Sequence, residues 1–163
     1  MDLKVITGDL FESEEQYICH QCNSVTTTGA NFSKAMFHRY PYADIYKERS
    51  YGQDPNADNL PGNIIVRGNG KDQRFVINML GQYYPGHAKF SNSTRDGWAA
   101  RQQAFQKCLD KIAAIPELES VAFPFKIACG AAGGDWLVYR KMIKDFAEKV
   151  QVPVRIYRLE SAE

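Results

Sequence analysis

The chain has 163 residues with 20 Lys and Arg against 19 Asp and Glu, a formal charge of +1, and is 44% hydrophobic and 24% charged. That length buries about 70% of an unfolded chain's surface, so no disulfide or metal staple is required, and the balanced charge disfavours generic nucleic-acid binding. The composition is globular, not disordered, and no apolar run approaches the roughly 18 residues of a membrane span. The expectation is a soluble, cytoplasmic, unexported protein: one domain over residues 1–163, monomeric, with no membrane partner.

Leu3 to Ile6 and Tyr17 to Cys22 are β-prone stretches, the first closed by Thr7-Gly8-Asp9. From Asn31, apolar residues at Phe32, Ala35, Met36 and Tyr40 recur at helical spacing until Pro41 stops them, and a further turn or two follows at Ala43 to Arg49. Tyr51 to Pro61 is a polar loop. Asn63 to Arg67 and Arg74 to Met79 form a hairpin around Gly68-Asn69-Gly70-Lys71-Asp72. The segment from Gly81 to Gly97 is irregular and long for a compact domain, the length of a functional flap or of a passive loop. Trp98, Phe105, Leu109 and Ile112 mark one face of a helix that ends before Pro116. Ser120 to Ile127 is a near-continuous apolar strand with Pro124 near its end. A helix with Tyr139, Met142, Ile143, Phe146 and Val150 inward follows Gly134, and a strand from Pro153 to Tyr157 closes the chain. Helices interleaved with strands predict an α/β fold, a three-layer sandwich around a mixed sheet.

Cys19 and Cys22 form a C-x-x-C pair, but Cys108, Cys129, His20, His38 and His87 stand alone, which is too few convergent ligands for zinc. The cysteines are read as reduced thiols used as small buried hydrophobes, with no metal and no cofactor.

The strongest chemical signal is the loop Cys129-Gly130-Ala131-Ala132-Gly133-Gly134 between a strand and a helix. Small residues let backbone approach a ligand, and a helix start offers unpaired N–H groups, which suits a phosphate or pyrophosphate. It lacks the Lys-Ser/Thr of a Walker A loop and the spacing of a dinucleotide fingerprint. Thr26-Thr27-Thr28-Gly29-Ala30-Asn31 also leads from a strand into a helix. Two such loops at the carboxyl ends of neighbouring strands form facing walls of one cleft, fit for a diphosphate between two sugars.

Ile6-Thr7-Gly8-Asp9-Leu10, Ile18-Cys19-His20-Gln21-Cys22-Asn23, Thr28-Gly29-Ala30 and Ile127-Ala128-Cys129-Gly130-Ala131-Ala132-Gly133-Gly134-Asp135-Trp136, in this order, resemble macrodomains almost end to end. The resemblance implies a three-layer α/β/α sandwich with a mixed central sheet and binding of ADP-ribose or an ADP-ribosylated substrate. It also implies hydrolysis at the distal ribose, as an ADP-ribosyl hydrolase or an ADP-ribose 1″-phosphate phosphatase. The alternative is a binding module without turnover. Thr28, Gly29, Ala30 and Asn31 would hold the diphosphate against Cys129, Gly130, Ala131, Ala132, Gly133 and Gly134. Asp9 would accept from the adenine amino group, with the Leu10 amide nearby, and Tyr157 would stack on the adenine. Trp136 is core or a pocket wall. Asn23 would fix the distal ribose while Asp135, or His20, acts as base.

Each residue has a plainer use. Asp9 and Asn23 suit turns, Asp135 suits a helix cap, His20 suits a hydrogen bond inside the sheet, and Tyr157 suits packing. His20 and Gln21 depart from the Asn and Ala of many relatives, and Lys34 is not placed for a covalent lysyl intermediate.

Overall fold

Along β2 (Tyr17–Cys22) side chains alternate between two apolar layers, and this alternation organises the molecule. Tyr17 and Cys19 join one core cluster with Ile77, Met79, Phe105 and Phe123. Ile18 and Cys22 join the other with Met36, Phe37, Tyr46 and Leu80. The two thiols of the C-x-x-C pair therefore lie on opposite faces of one strand and do not converge. The computed structural model describes residues 1–88 and 94–160; part of the long Gly81–Gly97 segment lies outside the described residues.

Six strands form one mixed sheet in the order β1 (Leu3–Thr7), β6 (Val154–Arg158), β5 (Val121–Pro124), β2, β4 (Phe75–Leu80) and β3 (Ile64–Arg67). All neighbours are parallel except β3, which pairs antiparallel with β4 through the expected hairpin. Helices α2 (Trp98–Ala113) and α3 (Trp136–Val150) cover one face, burying Phe105, Leu109 and Ile112 from the first and Tyr139, Ile143 and Phe146 from the second. Helix α1 (Asn31–Arg39) and short 3₁₀ turns at Pro41–Ala43 and Tyr46–Glu48 cover the other. These are the three layers of the expected sandwich. No helix among the described residues is long and apolar enough to cross a membrane.

One boundary is corrected. β5 stops at Pro124 instead of running to Ile127. After Pro124 the chain turns back on itself, with Ile127 N–H donating to the Pro124 carbonyl (3.1 Å) and Cys129 N–H to that of Lys126 (2.9 Å). Lys126 and Ala128 take positive φ values of 58° and 68°, which carry the chain out of the sheet plane.

His20, expected either as a base or as a hydrogen-bond partner inside the sheet, sits in a buried network. Its side chain is wholly buried beneath α1, with Nε2 2.6 Å from Asn78 Oδ1, Nδ1 3.2 Å from Ser33 Oγ, and its ring edge-on to Phe37. It does not line the cavity described below.

Burial pushes the His20 imidazole down from 6.5 to about 4. In that window the unfolded chain binds the extra proton, so this group's contribution is complete above pH 6.5 and declines as the pH falls towards 4. The loss reaches roughly 3 kcal/mol. Urea midpoints measured across these pH values should fall more steeply for the natural chain than for His20→Gln.

Candidate functional site

β2 and β5 are neighbours that pair only through Tyr17–Val121 and Ile18–Ala122. Beyond those two rungs β2 continues beside β4, while β5 turns away after Pro124. A cavity of about 330 Å³ opens at their carboxyl ends, a volume near the lower end of ligand sites. The segment from Asn23 to Ser33 forms one wall, Pro124 to Ala132 the second, and Gln82, Pro85 and Gly86 a third.

The first two walls present backbone donors. Among the described residues, the N–H groups of Thr28, Gly29 and Ala30 donate to no protein acceptor, and neither do those of Ala128, Gly130, Ala131 and Ala132. Helix α1 starts at the cavity with Ala30 at its N-cap position, no side-chain cap and no acidic residue in its first turn. Its first N–H groups and partial positive charge are thus unanswered. Of the five non-glycine residues with positive φ among the described residues, Asn31 (54°), Lys126 (58°) and Ala128 (68°) line this cavity. Such conformations cost of order 1–3 kcal/mol each and gather where a site needs them. Lys126 is the one Lys, Arg, Asp, Glu or His among the described lining residues. The remaining polar lining is amide and hydroxyl: Gln21, Asn23, Thr26, Thr28, Asn31, Ser33, Tyr46 and Gln82.

Two guanidinium groups hold the walls from behind. Arg101 on α2 is 1% exposed and grips Asp96 in parallel, Nε to Oδ1 at 3.0 Å and Nη2 to Oδ2 at 2.6 Å. Its other contacts reach the carbonyls of Gly86 (2.7 Å), Tyr84 (3.2 Å) and Ala132 (3.4 Å), tying the third wall to the second. Asp96 Oδ1 also accepts from Tyr83 N–H at 2.9 Å. Arg49 does the same for the first wall, donating to the carbonyls of Asn23 (2.8 Å) and Thr26 (2.9 Å) while anchored on Asn59 and stacked 4.6 Å over Tyr46. A third link is an amide pair: Gln21 Nε2 donates to Gln82 Oε1 (2.6 Å), and Gln82 Nε2 donates to Tyr84 O (2.8 Å).

Of the residues singled out by sequence, Asn23, Thr28, Ala30, Asn31, Gly130, Ala131 and Ala132 meet at this cavity. Asn23 is 8% exposed and its Oδ1 accepts from Val25 N–H (3.0 Å) and Thr26 N–H (2.9 Å), so it shapes the first loop as well as lining the space. The others lie elsewhere. Gly29 packs on α1, where an added Cβ would stand 3.0 Å from Lys34 N and 3.1 Å from the Phe37 ring. The Cys129 thiol turns to the Ile127 carbonyl at 3.3 Å, and burial pushes it up to about 12. Gly133 and Gly134 close the second loop by donating to Gly130 O (3.0 Å) and Ala128 O (2.9 Å). Gly133, at φ 74°, lies so close under the His87 ring that an added Cβ would collide with it.

Asp135 caps α3, accepting from Leu137 N–H at 3.0 Å, and is exposed outside the cavity. The helix start that faces the cavity is therefore that of α1, not α3. Trp136 packs on Phe125 (5.3 Å between centroids) and the core. Asp9 caps a 3₁₀ turn through Phe11 N–H (2.9 Å), and Leu10 is buried. Tyr157 donates to Glu15 Oε1 at 2.6 Å, and the aromatic rings that line the cavity are those of Phe32, Tyr46 and Phe125.

Arg101, Asp96, Arg49, Gln82 and Ser33 have no site role in the sequence pattern, and Gln21 stands there only as a departure from the Ala of many relatives. A signal existed for Arg101: it falls on the apolar stripe of α2 between Trp98 and Phe105, where a charge is out of place. Gln21 likewise interrupts a strand whose other residues are fully buried.

Breaking a buried pair leaves one charge uncompensated. Arg101→Met should cost about 3–5 kcal/mol in chemical denaturation, with part of the loss recovered by adding Asp96→Asn.

No family model matches the sequence, and no curated protein matches it. Solved structures do. A protein of unknown function from Bacteroides thetaiotaomicron superposes with a TM-score of 0.72 at 24% identity, over 98% of this chain and 99% of that one. The macrodomain of Mycobacterium tuberculosis DarG gives 0.67 at 21% identity, over 95% and 96% of the two chains. Thermosipho africanus DarTG in complex with ADP-ribose gives 0.68 at 17% identity, over 99% of this chain and 43% of that one. With its mixed sheet, flanking helices and these relatives, the chain has the macrodomain fold.

Proposed function

We propose that the cavity binds ADP-ribose. The observation that carries this reading is the meeting, across one space, of unanswered N–H groups from Thr28, Ala30 and the start of α1 with those of Ala128 and Gly130–Ala132. A diphosphate is a doubly charged acceptor without donors, and it fits between two such rows. Phe125 and Phe32 offer apolar faces to the adenine, and the amides of Asn23 and Gln21 offer hydrogen bonds to a sugar.

Binding without turnover is the form of this function that the geometry favours. Hydrolysis at the distal ribose calls for a group that orients or deprotonates water. Asp135 is engaged as a helix cap outside the cavity, and His20 is buried in its own network. Asn23 is the member of the expected catalytic set that lines the space, and its carbonyl oxygen is held by the loop it shapes.

Ligand at a hundredfold excess over Kd adds about 2.7 kcal/mol to stability, and a domain of this size gains about 2–4 °C in Tm per kcal/mol. ADP-ribose should accordingly raise the melting temperature by several degrees. Gly130→Glu should abolish that shift with little change in the ligand-free Tm, because a Cβ at Gly130 meets no protein atom while its carboxylate adds like charge to the site. Incubation with ADP-ribosylated protein, ADP-ribosylated DNA and ADP-ribose 1″-phosphate should release no product. Product release lost on Asn23→Ala would replace the binding reading with the hydrolytic one, and an unchanged melting curve at millimolar ADP-ribose would overturn both.

A further inference from the structure

Asn78, on β4, is fully buried, and its Nδ2 donates to the carbonyls of Ala43 (3.2 Å) and Ile65 (3.1 Å). Two carbonyl partners fix the orientation of the amide, so Oδ1 faces His20 Nε2 at 2.6 Å. A carbonyl oxygen only accepts, so Nε2 carries the ring hydrogen and Nδ1 is left with its lone pair. That lone pair faces Ser33 Oγ at 3.2 Å. A second acceptor near the hydroxyl is the Gln21 carbonyl at 3.3 Å, and the Cys22 thiol, 3.5 Å from His20 Nε2, also lies within hydrogen-bond reach of Ser33. Cys22 Sγ joins the same cluster, 3.7 Å from Asn78 Oδ1.

His20 Nδ1 and the Gln21 carbonyl are thus two acceptors facing the one Ser33 proton, and Ser33 stands on the cavity wall, in the first turn of α1. We propose that Asn78 and His20 fix the polarity of Ser33, so that its oxygen acts only as an acceptor towards the ligand and reads a ribose hydroxyl. Beside the N–H donors of the two loops, this is a point where a phosphate oxygen is repelled and a hydroxyl is welcomed. The inference rests on the ADP-ribose reading for the identity of the ligand, while the tautomer of His20 stands independently of it.

The three side chains also have the order of nucleophile, base and orienting group. Nucleophilic attack by Ser33 would need an imidazolium to form in a site with no exposure, opposite a neutral amide. Burial holds the ring neutral down to about pH 4. The relay positions Ser33 instead of activating it.

The test pairs calorimetric titration with ¹⁵N NMR. ADP-ribose and analogues in which one ribose hydroxyl at a time is replaced by hydrogen are titrated into the natural chain, Ser33→Ala and Ser33→Thr. Ser33→Ala should weaken ADP-ribose binding about tenfold, Ser33→Thr should restore it, and the loss should vanish for the one analogue lacking the partner hydroxyl. NMR of the ligand-free protein at pH 7 should show His20 in the Nε2–H form. An Nδ1–H tautomer, or an equal loss with every analogue, would overturn the proposal while binding of ADP-ribose itself remained intact. If the natural chain bound none of the compounds, the ADP-ribose reading would fall and the assigned hydroxyl with it.

Discussion

Two walls of the cavity are tied together by a buried guanidinium that reaches three carbonyls no strand or helix holds. Arg101 is anchored by Asp96 and extends to Tyr84, Gly86 and Ala132. Removing two charges from water is expensive and is repaid only with good geometry and satisfied remaining donors. The parallel grip and the carbonyl contacts meet both conditions. Arg49, half-buried, plays the same part for the loop after β2. Walls fixed in this way need little ordering when a ligand arrives, which removes one of the main costs of association.

Holding the walls from outside by their carbonyl groups leaves the inner surface to be written in N–H groups and a few side chains. The inner surface is correspondingly simple: donors from two loops, an uncapped helix start, amides at the end of β2, and Ser33 as an acceptor among them. Donors suit a charged linkage and acceptors suit sugar hydroxyls, so on the proposed reading a diphosphate ester of two riboses would be read by polarity as much as by shape.

Much of the fold was legible because its signals are local. Alternation along Tyr17–Cys22, helical spacing from Phe32 to Tyr40 and from Phe105 to Ile112, and the hairpin at Gly68–Asp72 each correspond to an observed element. The end of β5 was not legible. Phe125-Lys126-Ile127 continues an apolar run, and the positive φ at Lys126 and Ala128 falls on residues that carry no glycine-like mark. For the site, the two small-residue loops were visible in composition, but which of their members face inward depends on turns closed by Gly133 and Gly134. The third wall belongs to the segment from Gly81 whose length suits a flap or a passive loop, and what holds it was not legible, because Arg101 lies 15 residues along the chain from the Gly86 it supports. Asp135 shows a further limit: its suitability as a cap and as a base are the same property, and only position separates them.

Two rungs of pairing between β2 and β5, and no more, have a consequence for how this architecture changes over time. The gap is set by where a strand ends, and Pro124 is the last residue of that strand. Loop composition can drift widely while the gap persists. Extending β5 by two paired residues would zip the strands together and erase the gap with every loop residue unaltered.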